Sequence, residues 1–459
     1  MKKTIFLLGL TLCLIANSCH RDNPVNAPVN DGQSNTFVSM DQAEEEVLKL
    51  VSIVDGNTKG RQSRRIAERF SLGGPDAKTK SEDGEDPLVY VFNFEDEQGF
   101  ALASGDNRMP PVLCLTDEGN LSDTTSINEG ALAMLSIIDT DYRMAVGLPI
   151  TDYDGNTVTS EQYAQALNFV IDDEGGAGSG GSSSTTYTTY TSWTNTTPVG
   201  TRTATTWRQR YPFNKYCKTT DGKEAYAGCV AIAVGQIMYY WGQNTTYNGH
   251  YYDWSIMRRI TSPLMPTTSS YYSDAWDKVQ LLLRDLGRSE NLDMDYGEVD
   301  NSDGSGANCN HIYRTFMNFG YSNGGTVTDY KLSTLKNCLL DGPVIGCGYS
   351  SRKVTKFLGI TIKTTYSDGH EWIYDQYMEQ YRYRNTYNRT TGQLISSIKE
   401  TRTLVRCNWG WGGTSDGFYL SGYFNSNDDK GLITKSSIHG SEEEYYYQYL
   451  LNMHTGIHP

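Results

Sequence analysis

Apolar positions along the first third of the chain recur mainly at helical spacing. Residues 39–50 are apolar at every third or fourth position, and Ser39 with Gln42 fits a capping box at the start of this segment. The pattern therefore predicts a helix over 39–50. The same spacing predicts two further helices, over residues 132–145 and 160–171.

Strand patterns lie between these predicted helices. Residues 88–93 alternate between apolar and polar positions, residues 99–104 fit a hairpin partner, and residues 113–115 suit a third strand. The charged stretch 61–86 is dotted with glycine and is predicted to be a loop. Together these elements predict a small α+β unit over residues 37–173.

The apolar periodicity stops after this unit. Residues 174–204 are rich in Gly, Ser and Thr, a composition typical of a flexible linker and of a site that proteases cut. A second domain is predicted over residues 205–459. It begins with helices, predicted from Cys229 onward, over 274–286 and over 307–319.

Strand patterns dominate the rest of the second domain. The predicted strands cover residues 344–349, 371–383, 394–398, 403–409 and 417–420. Helices first and strands later favour an α+β fold with segregated layers.

Charge and targeting signals narrow the classes of function. The 459-residue chain has a formal net charge of -15 and no basic patch, which argues against a nucleic-acid partner. Residues 1–19 resemble a bacterial lipoprotein signal that ends at Cys19, and residues 20–36 suit a tether. Plain secretion stays open because Ala16 stands where Leu is more usual. We expect an exported protein whose membrane contact is limited to a lipid on Cys19.

Seven cysteines follow this signal, so at least one is expected to be unpaired within the chain. They include no close CxxC pair, and no zinc site is expected. Cys229 stands at the start of the apolar run AYAGCVAIAVGQIMYYW, where a helix N-terminus would favour its thiolate. Taken by itself, Cys229 also fits a buried structural cysteine.

Other segments could complete a thiol-dependent site. His370 follows a predicted turn at the start of a strand, about 140 residues after Cys229, a separation known from papain-like enzymes. Asn408 could orient an imidazole, and Trp409 could shield that bond from water. Both lie in a glycine-rich block that also suits a tight turn with core tryptophans. Gln209 precedes Cys229 and could donate to an oxyanion, although such a Gln is usually a surface residue.

Three segments, in this order, resemble the streptopain family of papain-like cysteine peptidases: GCVAIAVGQIMYYW, DGHEWIYD and NWGWGGTSDGF. The segment VYVFNFEDEQGFALASGDNR in the first unit is similar to the propeptide of that family. The resemblance implies a papain-like catalytic domain, with a helical part and an antiparallel sheet, behind a small α+β inhibitory prodomain. It also implies that linker cleavage activates the enzyme and that no cofactor is needed.

Residue roles follow from the same resemblance. It implies that Cys229 is the nucleophile, that His370 is the general base and acid, and that Asn408 orients the imidazole. Trp409 would cover the pair, and Gln209 would occupy the oxyanion position. The expected partners are protein or peptide substrates and the chain's own prodomain.

The chain departs from the family pattern near His370. Glu371 stands where family members usually have a small residue, Gln376 lies near a frequent glycine, and a longer hairpin over residues 381–402 separates His370 from Asn408. We hypothesise that this hairpin lines one edge of the cleft. Two alternatives to an endopeptidase are a papain-like amidase or transglutaminase and a non-catalytic binding or inhibitor protein.

Overall fold

The structure is a computed structural model. It describes residues 36–56, 64–72, 89–122, 138, 150–151, 157–158, 185–299, 304–349, 353–357, 360–365, 369–421 and 452–459. From Phe37 onward the chain forms one compact unit. No helix in the described part of the chain is both long and apolar enough to span a membrane.

The first element is a helix, α1 (Met40–Gly56), and it confirms the predicted cap. The Ser39 amide donates to Gln42 Oε1 at 2.9 Å, and the Gln42 amide donates to Ser39 Oγ at 3.3 Å. These two bonds satisfy backbone donors that a helix start leaves without partners. The helix runs six residues beyond the predicted end because Val51 and Val54 continue its buried face.

The strands of the predicted prodomain, the unit called the prodomain below, form an antiparallel sheet. Its members are β1 (Ile66–Leu72), β2 (Val89–Phe94), β3 (Phe100–Ser104) and β4 (Val112–Thr116). The β2–β3 hairpin and the third strand confirm the prediction. Strand β1 lies inside the stretch predicted to be a loop, and that part of the prediction is wrong. Ile66 and Phe70 alternate toward the core, while Arg69 pairs with Asp41 of α1 at 2.7 Å. The charges of this segment hid the alternation.

Two predicted helices, over 132–145 and 160–171, lie outside the described residues apart from residue 138. Two short strands, β5 (Ile150–Thr151) and β6 (Thr157–Val158), pair with each other. The prodomain boundary at residue 173 also falls outside the described part of the chain.

Part of the predicted linker is ordered as strands. Strands β7 (Thr186–Tyr190) and β8 (Thr194–Asn195) both pair with a long strand of the second domain, β15 (Gly369–Asn388). The flexibility predicted for residues 174–204 therefore does not hold from residue 186 on. Thr and Tyr favour strands, and the Tyr187 ring stacks on Tyr387 at 5.2 Å. Composition suggested a linker because it could not reveal this partner strand.

The helices of the second domain are α2 (Cys229–Trp241), α3 (Trp254–Met257), α4 (Ser270–Leu286), α5 (Ile312–Asn318) and α6 (Leu332–Cys338). A 3-10 turn over Cys309–His311 precedes α5. A small hairpin, β9 (Thr245–Tyr247) and β10 (His250–Tyr252), follows α2. Helices α2, α4 and α5 confirm the three predicted from the sequence. Helices α3, α4 and α5 share one apolar core with α2, whereas Leu335 of α6 packs in the core that contains the first strands of the chain.

The remaining strands are β11 (Asn323–Asp329), β12 (Val344–Tyr349), β13 (Lys353–Phe357), β14 (Ile360–Thr365), β15, β16 (Leu394–Asn408), β17 (Gly417–Leu420) and β18 (Asn452–His458). The strands predicted over 371–383, 394–398 and 403–409 form one long hairpin, β15–β16. Helices packed on an antiparallel sheet confirm the α+β fold class.

One sheet runs through both predicted domains. Its order is β1-β2-β3-β4-β17-β16-β15-β12-β18-β11, with β7 and β8 added on β15. The prodomain joins the second domain where β4 pairs antiparallel with β17, and Leu115 stands opposite Phe418. The long hairpin also contacts the prodomain, because Gln380 donates to the Val112 carbonyl and Arg382 donates to the Asn107 carbonyl, both at 2.6 Å.

A buried ionic network crosses the same boundary. The Arg406 guanidinium of β16 bonds Asp117 of the prodomain and Asp375 of β15, each at 2.7 Å. Arg202 also reaches Asp117, at 3.2 Å. Burial would raise the pKa of Asp117, but the nearby Arg406 and Arg202 charges outweigh burial and hold that pKa well below its usual range.

We expect Arg406→Met to lower the free energy of unfolding of the full chain by about 3–5 kcal/mol, because it leaves two buried carboxylates short of a counter-charge. Arg202→Met is the matched control. Arg202 contacts the same Asp117 but is more exposed, so its loss should cost about 1 kcal/mol or less. Chemical denaturation of both variants measures the difference. Equal losses of unfolding free energy in the two variants would contradict the conclusion that Arg406 is the main counter-charge in this network.

Candidate active site

Cys229 is the first residue of α2, as predicted. Gly228 precedes it with φ of 86°, and a Cβ at that position would lie 2.7 Å from Met294 Cε. Only glycine fits this turn without strain. The turn brings Cys229 onto the helix N-terminus, where the free backbone amides favour a thiolate.

The thiol of Cys229 contacts Glu371 rather than a histidine. Cys229 Sγ lies 3.0 Å from Glu371 Oε2, and both side chains are buried. Burial, followed by the charge of Glu371, raises the pKa of the Cys229 thiol well above its usual value. Burial also raises the pKa of Glu371, to about 7. In this arrangement the nucleophile predicted from the sequence is a protonated thiol.

His370 points to the other face of β15. Successive side chains of a strand alternate between faces, so His370 and Glu371 cannot both face Cys229 while β15 is regular here. His370 Nε2 donates to the Trp409 carbonyl at 3.0 Å. Burial lowers the pKa of His370 to about 4, which keeps the imidazole neutral. The structure does not bring His370 and Cys229 together.

Asn408 is held by α2 and by the chain ahead of it. Its side-chain amide donates to the Thr205 carbonyl at 2.6 Å and to Gln236 Oε1 at 3.1 Å. Gln236 Nε2 lies 3.3 Å from Asn408 Oδ1, so the two amides pair side by side. The predicted contact with the His370 ring is not formed here. Asn408 is instead tied to the helix that carries Cys229.

Trp409 packs against His370, with 6.4 Å between ring centroids. Its indole N–H donates to the Ser415 carbonyl and its backbone N–H donates to Asp416 Oδ1, both at 2.8 Å. Trp372 and Trp411 also lie near the imidazole. His370 therefore sits among three indoles, and the thiol is not part of this cluster. The role of Trp409 in covering a Cys229–His370 pair stays a prediction.

Gln209 lies beside the turn that leads to Cys229. Its backbone carbonyl accepts from the Ala227 amide at 2.9 Å, and its side chain is half-buried. The Gln209 backbone is therefore hydrogen-bonded to Ala227, two residues before Cys229 in the sequence. Its role at an oxyanion stays a prediction.

Two functional neighbours were missed by sequence reasoning. Gln236 is a polar residue inside an otherwise apolar helix, seven positions after Cys229 and on the same face. That isolated polar position was the available signal. Cys347 of β12 stands opposite Glu371, with Sγ 3.5 Å from Oε1. No sequence signal links the two, because their pairing depends on the register between β12 and β15.

Two known families match separate parts of the chain. Residues 207–419 match the peptidase C10 family, and residues 35–142 match the Spi protease inhibitor family. Residues 207–419 belong to the peptidase C10 family. The chain therefore carries a C10 cysteine-peptidase domain behind a Spi-type inhibitor propeptide, as the resemblance implied.

A curated relative is the thiol protease/hemagglutinin PrtT of Porphyromonas gingivalis. It is 26% identical over 177 residues, which is 38% of this chain and 18% of the relative. The chain thus spans less than a fifth of the length of that relative.

Two solved structures of Prevotella intermedia proteins are also similar. A fragment of prointerpain A has 18% identity and a TM-score of 0.44, over 86% of this chain and 99% of the fragment. Active wild-type interpain A cysteine protease has 22% identity and a TM-score of 0.32, over 56% and 93%.

Burial of Glu371 predicts how Glu371→Gln changes the pH dependence of stability. With a pKa raised to about 7, folded Glu371 holds a proton that the unfolded chain releases near pH 4.5. This residue therefore makes wild type lose stability as the pH rises between these values. From pH 5 to 7, the stability of Glu371→Gln relative to wild type should rise by about 2–3 kcal/mol.

Denaturant titration of the intact chain at several pH values measures this change. Glu45→Gln, on the exposed face of α1, is the control and should follow wild type at every pH. If the unfolding free energies of wild type and Glu371→Gln change with pH in the same way, Glu371 does not carry a raised pKa in the folded protein.

Proposed function

We propose that the chain is the zymogen of a cysteine endopeptidase that is activated when its N-terminal prodomain is removed. The observation that carries the proposal is Cys229 at the N-terminus of α2 within a C10 domain. The prodomain strand β4 supports the zymogen part, because it is hydrogen-bonded to β17, close in sequence to Trp409. The described arrangement is latent, since the thiol is protonated and the imidazole is held among indoles.

Activity requires a movement of the β15 backbone that brings the His370 imidazole to the Cys229 thiol. The imidazole would then take the thiol proton and form a thiolate–imidazolium pair. The Cys229 thiolate attacks the peptide carbonyl carbon. The imidazolium of His370 then protonates the leaving amine as the C–N bond breaks, which leaves an acyl group on sulfur. Water, deprotonated by His370, hydrolyses this thioester and restores the free thiol.

The other predicted residues support this chemistry. Asn408 is the candidate to orient the imidazole once His370 has moved, with Trp409 covering the pair. Gln209 and the Cys229 backbone amide are the candidate oxyanion donors. The proximity of Gln209 to the Cys229 turn supports this assignment.

Export completes the proposal. The signal-like segment 1–19 supports a protein that is secreted or held at the bacterial cell envelope by a lipid on Cys19. Its substrates would be proteins or peptides outside the cytoplasm.

The first test compares residues 20–459 of wild type with the Cys229→Ala variant. Wild type should lose its prodomain, whereas the variant should stay whole, with processing at least about 10³-fold slower. His370→Ala should behave like Cys229→Ala. Cys338→Ser, a thiol change away from the site, should process like wild type. The proposal fails if wild type stays whole and a thiol-reactive epoxide does not label Cys229.

A second test locates the activation cleavage. Residues 186–190 and 194–195 are paired with β15, and the bridge between Val199 and Tyr377 extends this pairing. Paired strands resist proteolysis because the chain cannot enter a protease cleft as an extended segment. N-terminal sequencing of the mature enzyme should therefore find a start before Thr186. A mature chain starting at Thr186 or later would contradict this expectation.

A further inference from the structure

A second set of reactive groups lies next to the proposed nucleophile. Cys309 is in the 3-10 turn before α5, Cys347 is in β12, and Glu371 is in β15. All three side chains are buried, and their sulfur and oxygen atoms lie within 4.8 Å of one another. In the described part of the chain, no other group of three or more cysteine, histidine or acidic residues has its ligand atoms this close together. The proposed protease chemistry uses none of the three.

We propose that Cys309, Cys347 and Glu371 form a binding site for a thiophilic divalent cation such as Zn²⁺, with its open position directed to Cys229. The inhibitory consequence drawn below rests on the proposed function, because it takes Cys229 as the nucleophile. The binding site itself does not.

The spacing of the donors suits such an ion. A tetrahedral zinc ion with Zn–S bonds near 2.3 Å and Zn–O bonds near 2.1 Å places its ligand atoms about 3.5–3.8 Å apart. Cys347 Sγ lies 3.5 Å from Glu371 Oε1. These two residues are direct partners in the β12–β15 register, so backbone hydrogen bonds fix their separation. Cys309 then approaches from outside the sheet.

The charge balance also favours a cation. In the described part of the chain, the hydrogen-bond partners of the Glu371 carboxylate are the thiols of Cys229 and Cys347, and it forms no ion pair. Burial without a counter-charge keeps Glu371 protonated, because an ionised carboxylate in that position is costly. A divalent ion would supply the missing charge. On binding, Cys309, Cys347 and Glu371 would each release a proton to solvent and coordinate as two thiolates and one carboxylate.

The donor set selects among metals. Two thiolates and one carboxylate suit zinc, whereas calcium and magnesium prefer oxygen ligands. Three protein ligands leave a fourth position open. Cys229 Sγ lies 3.0 Å from the second oxygen of Glu371, so this sulfur is the nearest candidate for the open position. An ion held there would occupy the nucleophile and block processing reversibly.

Sequence spacing could not reveal this site. The expectation of no zinc site rested on the lack of a close CxxC pair, and here the ligands come from three segments that only the fold brings together.

The experiment uses the full chain carrying Cys229→Ala, which keeps the protein whole and separates metal binding from proteolysis. The chain is purified with a non-thiol reductant and titrated with Co²⁺, followed by displacement with Zn²⁺. We expect one Co²⁺ per chain with a near-ultraviolet sulfur-to-cobalt absorption band, lost when Zn²⁺ is added. Cys309→Ser, Cys347→Ser and Glu371→Gln should each weaken binding at least tenfold.

Cys338→Ser is the matched control and should bind as the parent does. Thermal melts establish that each variant is folded. If a variant is misfolded, the test uses the parent chain instead. Mass spectrometry then measures whether Zn²⁺ protects Cys309 and Cys347 of the parent from alkylation. Failure of the parent to bind Co²⁺, or binding that the cluster variants do not weaken, would overturn the site. A Cys309–Cys347 disulfide in the purified protein with no ion bound would also overturn it.

The link to Cys229 has its own readout. Restoring Cys229 should raise the affinity for Zn²⁺ at least tenfold relative to Cys229→Ala, and Zn²⁺ should slow wild-type processing until a chelator is added. Equal affinities would remove Cys229 from the site. A wild-type chain that binds Zn²⁺ but never processes would sink the protease proposal and leave the metal site standing.

Discussion

The alternation of side chains along β15 is the constraint on which the site depends. Because neighbouring residues of a strand face opposite sides, the thiol of Cys229 can meet Glu371 or His370 from a regular β15, but not both. The structure has Glu371 on the thiol and His370 among indoles. This arrangement is self-consistent, since Glu371 and His370 are then both neutral and buried. Under the mechanism proposed above, activation therefore requires a change in the backbone at the start of β15, and a rotation of one side chain is not enough.

The sheet connects the start of β15, where either Glu371 or His370 can face the thiol, to the prodomain. Strand β4 pairs with β17, β17 with β16, and β16 with β15, so backbone hydrogen bonds run from the prodomain to the strand that carries His370. Arg406 reinforces this path by bonding carboxylates from both sides of the boundary. An inhibitory domain joined in this way can restrain the site through the strands themselves, without entering the cleft.

Sequence patterns predicted most of the elements but not the pairing of strands that lie far apart in the chain. Helix α1 with its cap, the β2–β3 hairpin and the position of Cys229 at a helix start are local features, and local spacing was enough to find them. Strand β7 was missed because its partner lies almost 200 residues away. The same limit applies to the site. Glu371 stood out as a departure from a family pattern, but its contact with Cys229 depends on the strand face and register, which no local pattern contains.

The pairing of β4 with β17 has a consequence for the mature enzyme. Once the prodomain leaves, β17 becomes the outer strand of the remaining sheet, and the backbone groups of Gly417, Phe418 and Tyr419 that now bond β4 lose their partners. An open edge of this kind is a template for adding a strand from another chain. The proposed activation cleavage would thus expose a new strand edge at the same time as it frees the thiol to react. Every molecule released from its prodomain needs water, a loop or a second protein to cover that edge.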